Sequence, residues 1–190
     1  TWNSISGYNH TLAIRSDGTL WAWGYNNAGQ LGLTDVASRS SPVQVGTNTW
    51  SSIACGYYHN ASINTNGQLF VWGNNTNGQL GQNNLQSYFS PIQISSNINT
   101  WSKIACGYRH TLAIRSDNTL WSWGLNSYGQ LGTSNQTNYS SPVQVGTSST
   151  WTTISSGSYF NMAIQTPGTL WAWGNNTYGQ LGNNTTTNYS

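Results

Sequence analysis

The chain has 190 residues, 36 % of them hydrophobic and 13 % aromatic, yet only eight are charged: five Arg or Lys and three Asp, with no Glu. Five scattered basic side chains and a formal charge of +2 cannot neutralise a run of phosphates, so nucleic acid is excluded as a partner. No apolar run approaches the ~20 residues of a membrane-spanning helix, so membrane insertion is not expected.

From the N-terminus, Trp2 to Gly7 reads as a strand, followed by Gly-x-x-His at His10, Ala13-Ile14, the turn Ser16-Asp17-Gly18, and Leu20-Trp21-Ala22-Trp23-Gly24. A polar loop ends in Gly29-Gln30-Leu31-Gly32, and a Ser-Pro-Val-Gln-Val segment follows around Pro42. The order then repeats: Trp-Gly pairs stand at Trp23, Trp72, Trp123 and Trp173, spaced 49, 51 and 50 residues, each followed by Gly-Gln-Leu-Gly. A fixed period near fifty, in units too small to bury their own apolar faces, means stacked sheets or blades. The turns at 16–18, 65–67, 116–118 and 166–168 carry Asp, Asn, Gly or Pro between apolar runs and predict hairpins. Period-two alternation in Leu20-Trp21-Ala22-Trp23 and Leu120-Trp121-Ser122-Trp123 puts both tryptophans of a pair on one strand face. Four short strands per repeat are predicted, in one region over 1–190 with repeats at about 1–49, 50–100, 101–150 and 151–190. The first copy, Trp2 to Gly7, is one residue shorter than Trp50 to Gly56. Because a lost residue would turn inward side chains outward, an irregular first strand is expected.

The Trp-Gly-x-Asn-x-x-Gly-Gln-Leu-Gly signature at Trp23, Trp72, Trp123 and Trp173, with Gly-x-x-His-x-x-Ala at His10 and His110, resembles the RCC1 repeat family over essentially the whole chain. The resemblance implies an all-β fold of RCC1-like β-propeller blades, each a four-stranded antiparallel sheet. Family propellers usually close with seven blades; here the last strand is expected three times, at Pro42, Pro91 and Pro142, so the fourth blade is expected to be incomplete. Open blade ends expose apolar faces and an unpaired edge that need covering. The expected cover is protein: the remainder of a longer chain, or a second copy in a ring or filament. Similar propellers serve as exchange factors, ubiquitin-ligase modules, ciliary scaffolds and secreted inhibitors, so the fold alone fixes no activity.

The residues point away from catalysis. Asp17, Asp35 and Asp117 lie in turns or loops, and no pair of carboxylates is placed for general acid–base work. No glycine-framed nucleophile ties Ser, His and Asp together. His10, His59 and His110 recur at equivalent blade positions, too far apart for one metal ion; they are expected to be structural and bonded to neighbouring backbone. No cofactor is assigned. Cys55 and Cys106 fill the same slot in adjacent repeats and are expected to stay unbridged, as buried apolar thiols. Most of the eleven tryptophans recur at strand positions and are expected in the core. Chromosome condensation and small-GTPase exchange are not expected, because the basic tail and acidic contacts such roles need are absent or nearly so.

Binding candidates lie where the repeats differ within a fixed frame: Asn9, Tyr58, Arg109 and Tyr159 in one loop, and Tyr25, Asn74, Leu125 and Asn175 after each Trp-Gly. A neutral, amide-rich surface suits the cell exterior, and Asn-x-Ser/Thr acceptors occur at Asn9, Asn60, Asn74, Asn135, Asn138, Asn175, Asn183, Asn184 and Asn188. Glycosylation is expected first at Asn135, Asn138, Asn183, Asn184 and Asn188. No signal peptide stands in the sequence, so an exported form is expected to have shed one. The expected function is a non-enzymatic structural or interaction protein of the cell exterior, acting by self-association or protein binding. The alternative is a lectin- or inhibitor-like module using the variable loops.

Overall fold

A computed structural model describes residues 1–94 and 100–190. They form four antiparallel sheets in chain order. The first holds β1 (Trp2–Gly7), β2 (His10–Arg15), β3 (Leu20–Gly24) and β4 (Arg39–Gln44). The second holds β5 (Trp50–Cys55), β6 (His59–Asn64), β7 (Leu69–Gly73) and β8 (Tyr88–Gln93). The third holds β9 (Trp101–Cys106), β10 (His110–Arg115), β11 (Leu120–Gly124) and β12 (Tyr139–Gln144). The fourth has three strands, β13 (Trp151–Ser156), β14 (Phe160–Gln165) and β15 (Thr169–Gly174), with Tyr189 bridging Gly174 much as Tyr139 pairs with Gly124.

The strands β1, β5, β9 and β13 contact one another in succession and line the axis, while β4, β8 and β12 form the outer edges. The apolar core sits between blades rather than within them. One cluster joins Leu12, Leu20 and Leu31 of the first blade to Trp50 and Trp72 of the second. Two further clusters repeat this arrangement at the next two joints. Alternation explains the pairing: the second and third sheets are covered on both faces by neighbouring sheets, and the central strand β6 is buried at all six positions.

A hydrogen-bonded weld recurs at each joint. The Gln30 carbonyl accepts from the indole Nε1 of Trp72 at 3.0 Å and from the Asn60 amide at 2.7 Å, and Asn60 Oδ1 meets His10 Nε2 at 2.6 Å. The Gln79 carbonyl accepts from Trp123 at 2.9 Å and Thr111 at 2.8 Å, with Thr111 Oγ1 facing His59 Nε2 at 3.0 Å. The Gln130 carbonyl accepts from Trp173 at 3.0 Å and Asn161 at 2.6 Å, with Asn161 Oδ1 facing His110 Nε2 at 2.9 Å. The histidines are thus structural, but their partners are side chains of the next blade, not neighbouring backbone as expected; strand backbone is already committed to the ladders. Because the facing Asn or Thr oxygen accepts in each case, Nε2 carries the proton, and Nδ1 is buried without a hydrogen-bond partner among the described residues in all three.

The first strand is irregular, as expected, but its irregularity is not what absorbs the missing residue. Its register shift between Trp2 and Ser4 is shared by the first strands of all four blades. Gly7 pairs where Cys55 pairs, and the missing residue falls in the turn before His10. Strand positions are held by the inward and outward alternation, whereas a turn can lose a residue without flipping any side chain.

Six tryptophans (Trp50, Trp72, Trp101, Trp123, Trp151 and Trp173) are buried, whereas Trp2 and Trp171, at opposite ends of the arc, are 46 % and 50 % exposed. Cys55 and Cys106 are unbridged. Burial pushes the Cys55 thiol up to about 12 and the Cys106 thiol upward as well.

Candidate interaction face

The turn between first and second strands and the loop after the third strand lie at the same end of every blade, because β1 and β3 run in the same direction. The two varying sets named above therefore meet. The carbonyls of Asn9, Tyr58, Arg109 and Tyr159 accept from the backbone N–H of Tyr25, Asn74, Leu125 and Asn175 at 3.2, 2.8, 2.8 and 2.9 Å. The glycine of each Trp-Gly makes this approach possible. Gly73 has φ +100°, and a Cβ there would stand 2.3 Å from the Tyr58 carbonyl oxygen.

What the sequence did not single out is the constant Gly-Tyr beside the varying positions. Tyr57 is the centre of a connected group of rings, with centroids 5.0 Å from Tyr8, 4.2 Å from Tyr58 and 4.5 Å from Tyr108. Tyr58 reaches Tyr25 at 6.2 Å; Tyr108 reaches Tyr159 at 5.2 Å, and Tyr159 reaches Tyr128 at 5.2 Å. Seven tyrosines from four blades thus form one surface, and the Tyr8 hydroxyl lies 3.5 Å from Ser158 Oγ of the fourth blade. Repetition of Gly-Tyr at Tyr8, Tyr57 and Tyr108 was the available signal. It reads as frame until the turns are seen to converge.

Tyr8, Tyr25 and Tyr128 are exposed, and Tyr57, Tyr58, Tyr108 and Tyr159 are half-buried. Arg109 contributes a cation, its guanidinium 5.1 Å from the Tyr108 ring centre and its Nη1 3.4 Å from Asn77 Oδ1. A hydrogen bond with Tyr57, and then burial, push the Tyr58 phenol up to about 12; burial and then neighbouring Tyr108 raise that of Tyr159. Both phenols therefore remain neutral across physiological pH. Such a surface offers broad, amphipathic, low-entropy contact area with little long-range charge, suited to short-range recognition.

Other candidate positions serve the scaffold. Asn74 Oδ1 accepts from Thr76 and Gln79, and Asn175 Oδ1 from Thr177 and Gln180. Leu125 is half-buried and Asn9 exposed. Among the acceptor asparagines, Asn138, Asn183, Asn184 and Asn188 are exposed. Asn135 is half-buried, its amide donating to the Thr133 carbonyl and the Tyr139 hydroxyl, and Asn60 is wholly buried. Asp17 and Asp117 each accept from Thr19 and Thr119 in hairpin turns, hydrogen bonds that hold their carboxyls below the usual range. Among the described residues no three His, Cys, Asp or Glu side chains gather as metal ligands.

Comparison with known proteins gives the fold its family. The RCC1-like domain profile matches residues 3–190. The chain belongs to the RCC1-like family. It is 37 % identical over 144 residues to the ultraviolet-B receptor UVR8 of Arabidopsis thaliana, covering 74 % of this chain and 33 % of that protein. Human WBSCR16 superposes with a TM-score of 0.90 at 22 % identity, over 100 % of this chain and 51 % of that one. Prp20p of Saccharomyces cerevisiae, whose structure was described with its binding to Gsp1p and histones, superposes with a TM-score of 0.86 at 20 % identity, over 100 % and 49 % of the two chains. The RCC1-like chain thus spans a third of that receptor and about half of each of the two solved chains.

Proposed function

We propose that this RCC1-like chain is a non-enzymatic protein-interaction module of the cell exterior, which engages protein, its own copies included, through the tyrosine face. The observation that carries the reading is the convergence of seven tyrosines and Arg109 from turns whose other side chains differ between blades. Tyr and Arg are enriched where protein interfaces concentrate their energy. Binding of Gsp1p and histones by Prp20p supports a protein-binding role for this fold, while five scattered basic residues give this chain little means of holding nucleic acid. The exterior location is supported by a surface solubilised by amides and hydroxyls, and by exposed glycan acceptors at Asn138, Asn183, Asn184 and Asn188. An intact-mass spectrum of the exported protein is expected to show added hexose masses, and the unmodified mass would contradict that location.

A second reading, a lectin-like module, is favoured by the same rings, since aromatic faces also stack on sugars. Screening the immobilised chain in parallel against a displayed random-peptide library and a glycan array separates the two. Peptides are expected to enrich, and to lose binding to the Tyr57→Ala/Tyr108→Ala variant. Glycan binding with no peptide enrichment would replace the first reading by the second.

A further inference from the structure

The second and third blades each lie between two other blades, and their Gly-Tyr turns pack backbone to backbone. A Cβ on Gly56 would stand 2.7 Å from the Gly107 carbonyl oxygen, an approach that only glycine permits. Each turn is closed by its own hydrogen bond, the Gly56 N–H donating to the His59 carbonyl at 2.8 Å and the Gly107 N–H to that of His110 at 2.9 Å. The Tyr108 N–H is tied in turn to the Ser158 carbonyl of the fourth blade at 2.9 Å. The side chains that follow the two glycines are thereby held against each other. Tyr57 and Tyr108, one repeat apart in the chain, stand with ring centres 4.5 Å apart and planes 35° from parallel.

Ring orientation separates this pair from the others on the face. A phenol that loses an electron and a proton becomes a phenoxyl radical, whose unpaired electron occupies p orbitals perpendicular to the ring and is concentrated at the oxygen and the carbons ortho and para to it. Two such rings bond through their faces. Tyr8 and Tyr58 meet Tyr57 edge-on, at 81° and 73°, and Tyr128 meets Tyr159 at 61°. Tyr108 and Tyr159 are tilted by 48° with centres 5.2 Å apart, and Tyr25 and Tyr58 by 41° at 6.2 Å. Tyr57 and Tyr108 have the smaller tilt and the shorter distance, at the near end of the roughly 4.5–7 Å span of aromatic pairs. Both are half-buried, and Tyr8, half-exposed and 5.0 Å from Tyr57, gives an oxidising equivalent a way in from solvent.

We infer that Tyr57 and Tyr108 are a site of oxidative coupling, joined ring to ring as a dityrosine that staples the second blade to the third when the chain meets a haem peroxidase and hydrogen peroxide. Each phenol yields one electron and one proton. An ortho carbon of one ring bonds to an ortho carbon of the other, and the hydrogen on each of those carbons moves to its own ring's oxygen as aromaticity returns. The two electrons and two protons reduce one peroxide to two waters, so the protein gains one carbon–carbon bond and loses two hydrogens. The fold brings the partners together in advance, which turns an encounter between radicals into an intramolecular step. No partner protein is needed at the face, so the inference is independent of the interaction reading.

Treating the dilute chain with a haem peroxidase and limiting hydrogen peroxide, then digesting with trypsin, tests it. The expected product is a single chain lighter by two hydrogens, with dityrosine fluorescence, in which the peptide Ile104–Arg109 is joined to Ser40–Lys103. Tyr108 is the one tyrosine of the first peptide, whereas the second holds Tyr58 and Tyr88 as well as Tyr57. Tyr57→Phe keeps a ring in place without a phenol and is expected to lower the yield of this link at least roughly tenfold, as is unfolding the wild-type chain in urea. Because the bond closes a loop of about fifty residues, the linked chain is expected to melt on the order of 10 °C higher than the unlinked one. A folded chain that gives only two-chain products, a link that joins other tyrosines, or a yield that survives Tyr57→Phe overturns the inference.

Discussion

His10, His59 and His110 each spend their one proton on a neighbouring blade and leave Nδ1 buried without a partner among the described residues, so charging any of them places a poorly solvated cation in a joint. Burial lowers all three, His59 to about 3 and His110 to about 4. The unfolded chain, with histidines near 6.5, therefore binds more protons than the folded one below that pH. Stability is full above about pH 7 and falls as the pH drops from 6.5 toward 4, His59 and His110 each accounting for a loss on the order of 3 kcal/mol at pH 4 and His10 acting in the same direction. Urea midpoints at pH 7.5, 5.5 and 4.5 check this; an unchanged midpoint would contradict it. The lowered carboxyls of Asp17, Asp35 and Asp117 act below their ordinary value of 3.8, outside that window. The sequence disclosed that these histidines were structural from their recurrence, but not their partners, which come from residues about fifty positions away.

At the scale of the element, the blade was legible because its period-two alternation, turn residues and repeat length agree. The link between Trp-Gly and Gly-Gln-Leu-Gly was legible only as co-occurrence; the structure shows the indole of one blade bonded to the Gln carbonyl of the blade before it. Trp123→Phe keeps the ring in place, removes the donor and leaves the Gln79 carbonyl to Thr111. It is expected to cost about 1 kcal/mol, against about 3–5 kcal/mol for Trp123→Ala. Equal losses in urea unfolding would place the value of this residue in its bulk alone. Gly73→Ala brings a Cβ against the Tyr58 carbonyl at φ +100° and is expected to cost about 3 kcal/mol. A neutral substitution there would show that the loop can move away. The shortened first repeat shows the opposite limit of sequence reading: the deletion was visible, but only the pairing of Gly7 in the slot of Cys55 shows that the turn absorbs it.

Across the whole molecule, four similar blades turn variation into a surface. Positions 9, 58, 109 and 159, far apart in the chain, meet around the axis with the constant tyrosines between them. The varying positions could be picked out because their neighbours agree; Tyr8, Tyr57 and Tyr108 could not, because constancy in a repeat looks like packing. Recognition by such a face depends on ring contact more than on charge, so binding is expected to change little between 50 and 500 mM salt, apart from the share carried by Arg109. A steep salt dependence would point to a surface elsewhere.

The most direct measurement is the affinity of a library-selected peptide for the wild-type chain and for the Tyr57→Ala/Tyr108→Ala variant, with melting curves of both. A loss of at least roughly tenfold in affinity with the melting temperature retained is the predicted result. Unchanged affinity in a folded variant would contradict the assignment of the tyrosine face as the surface through which this RCC1-like chain acts.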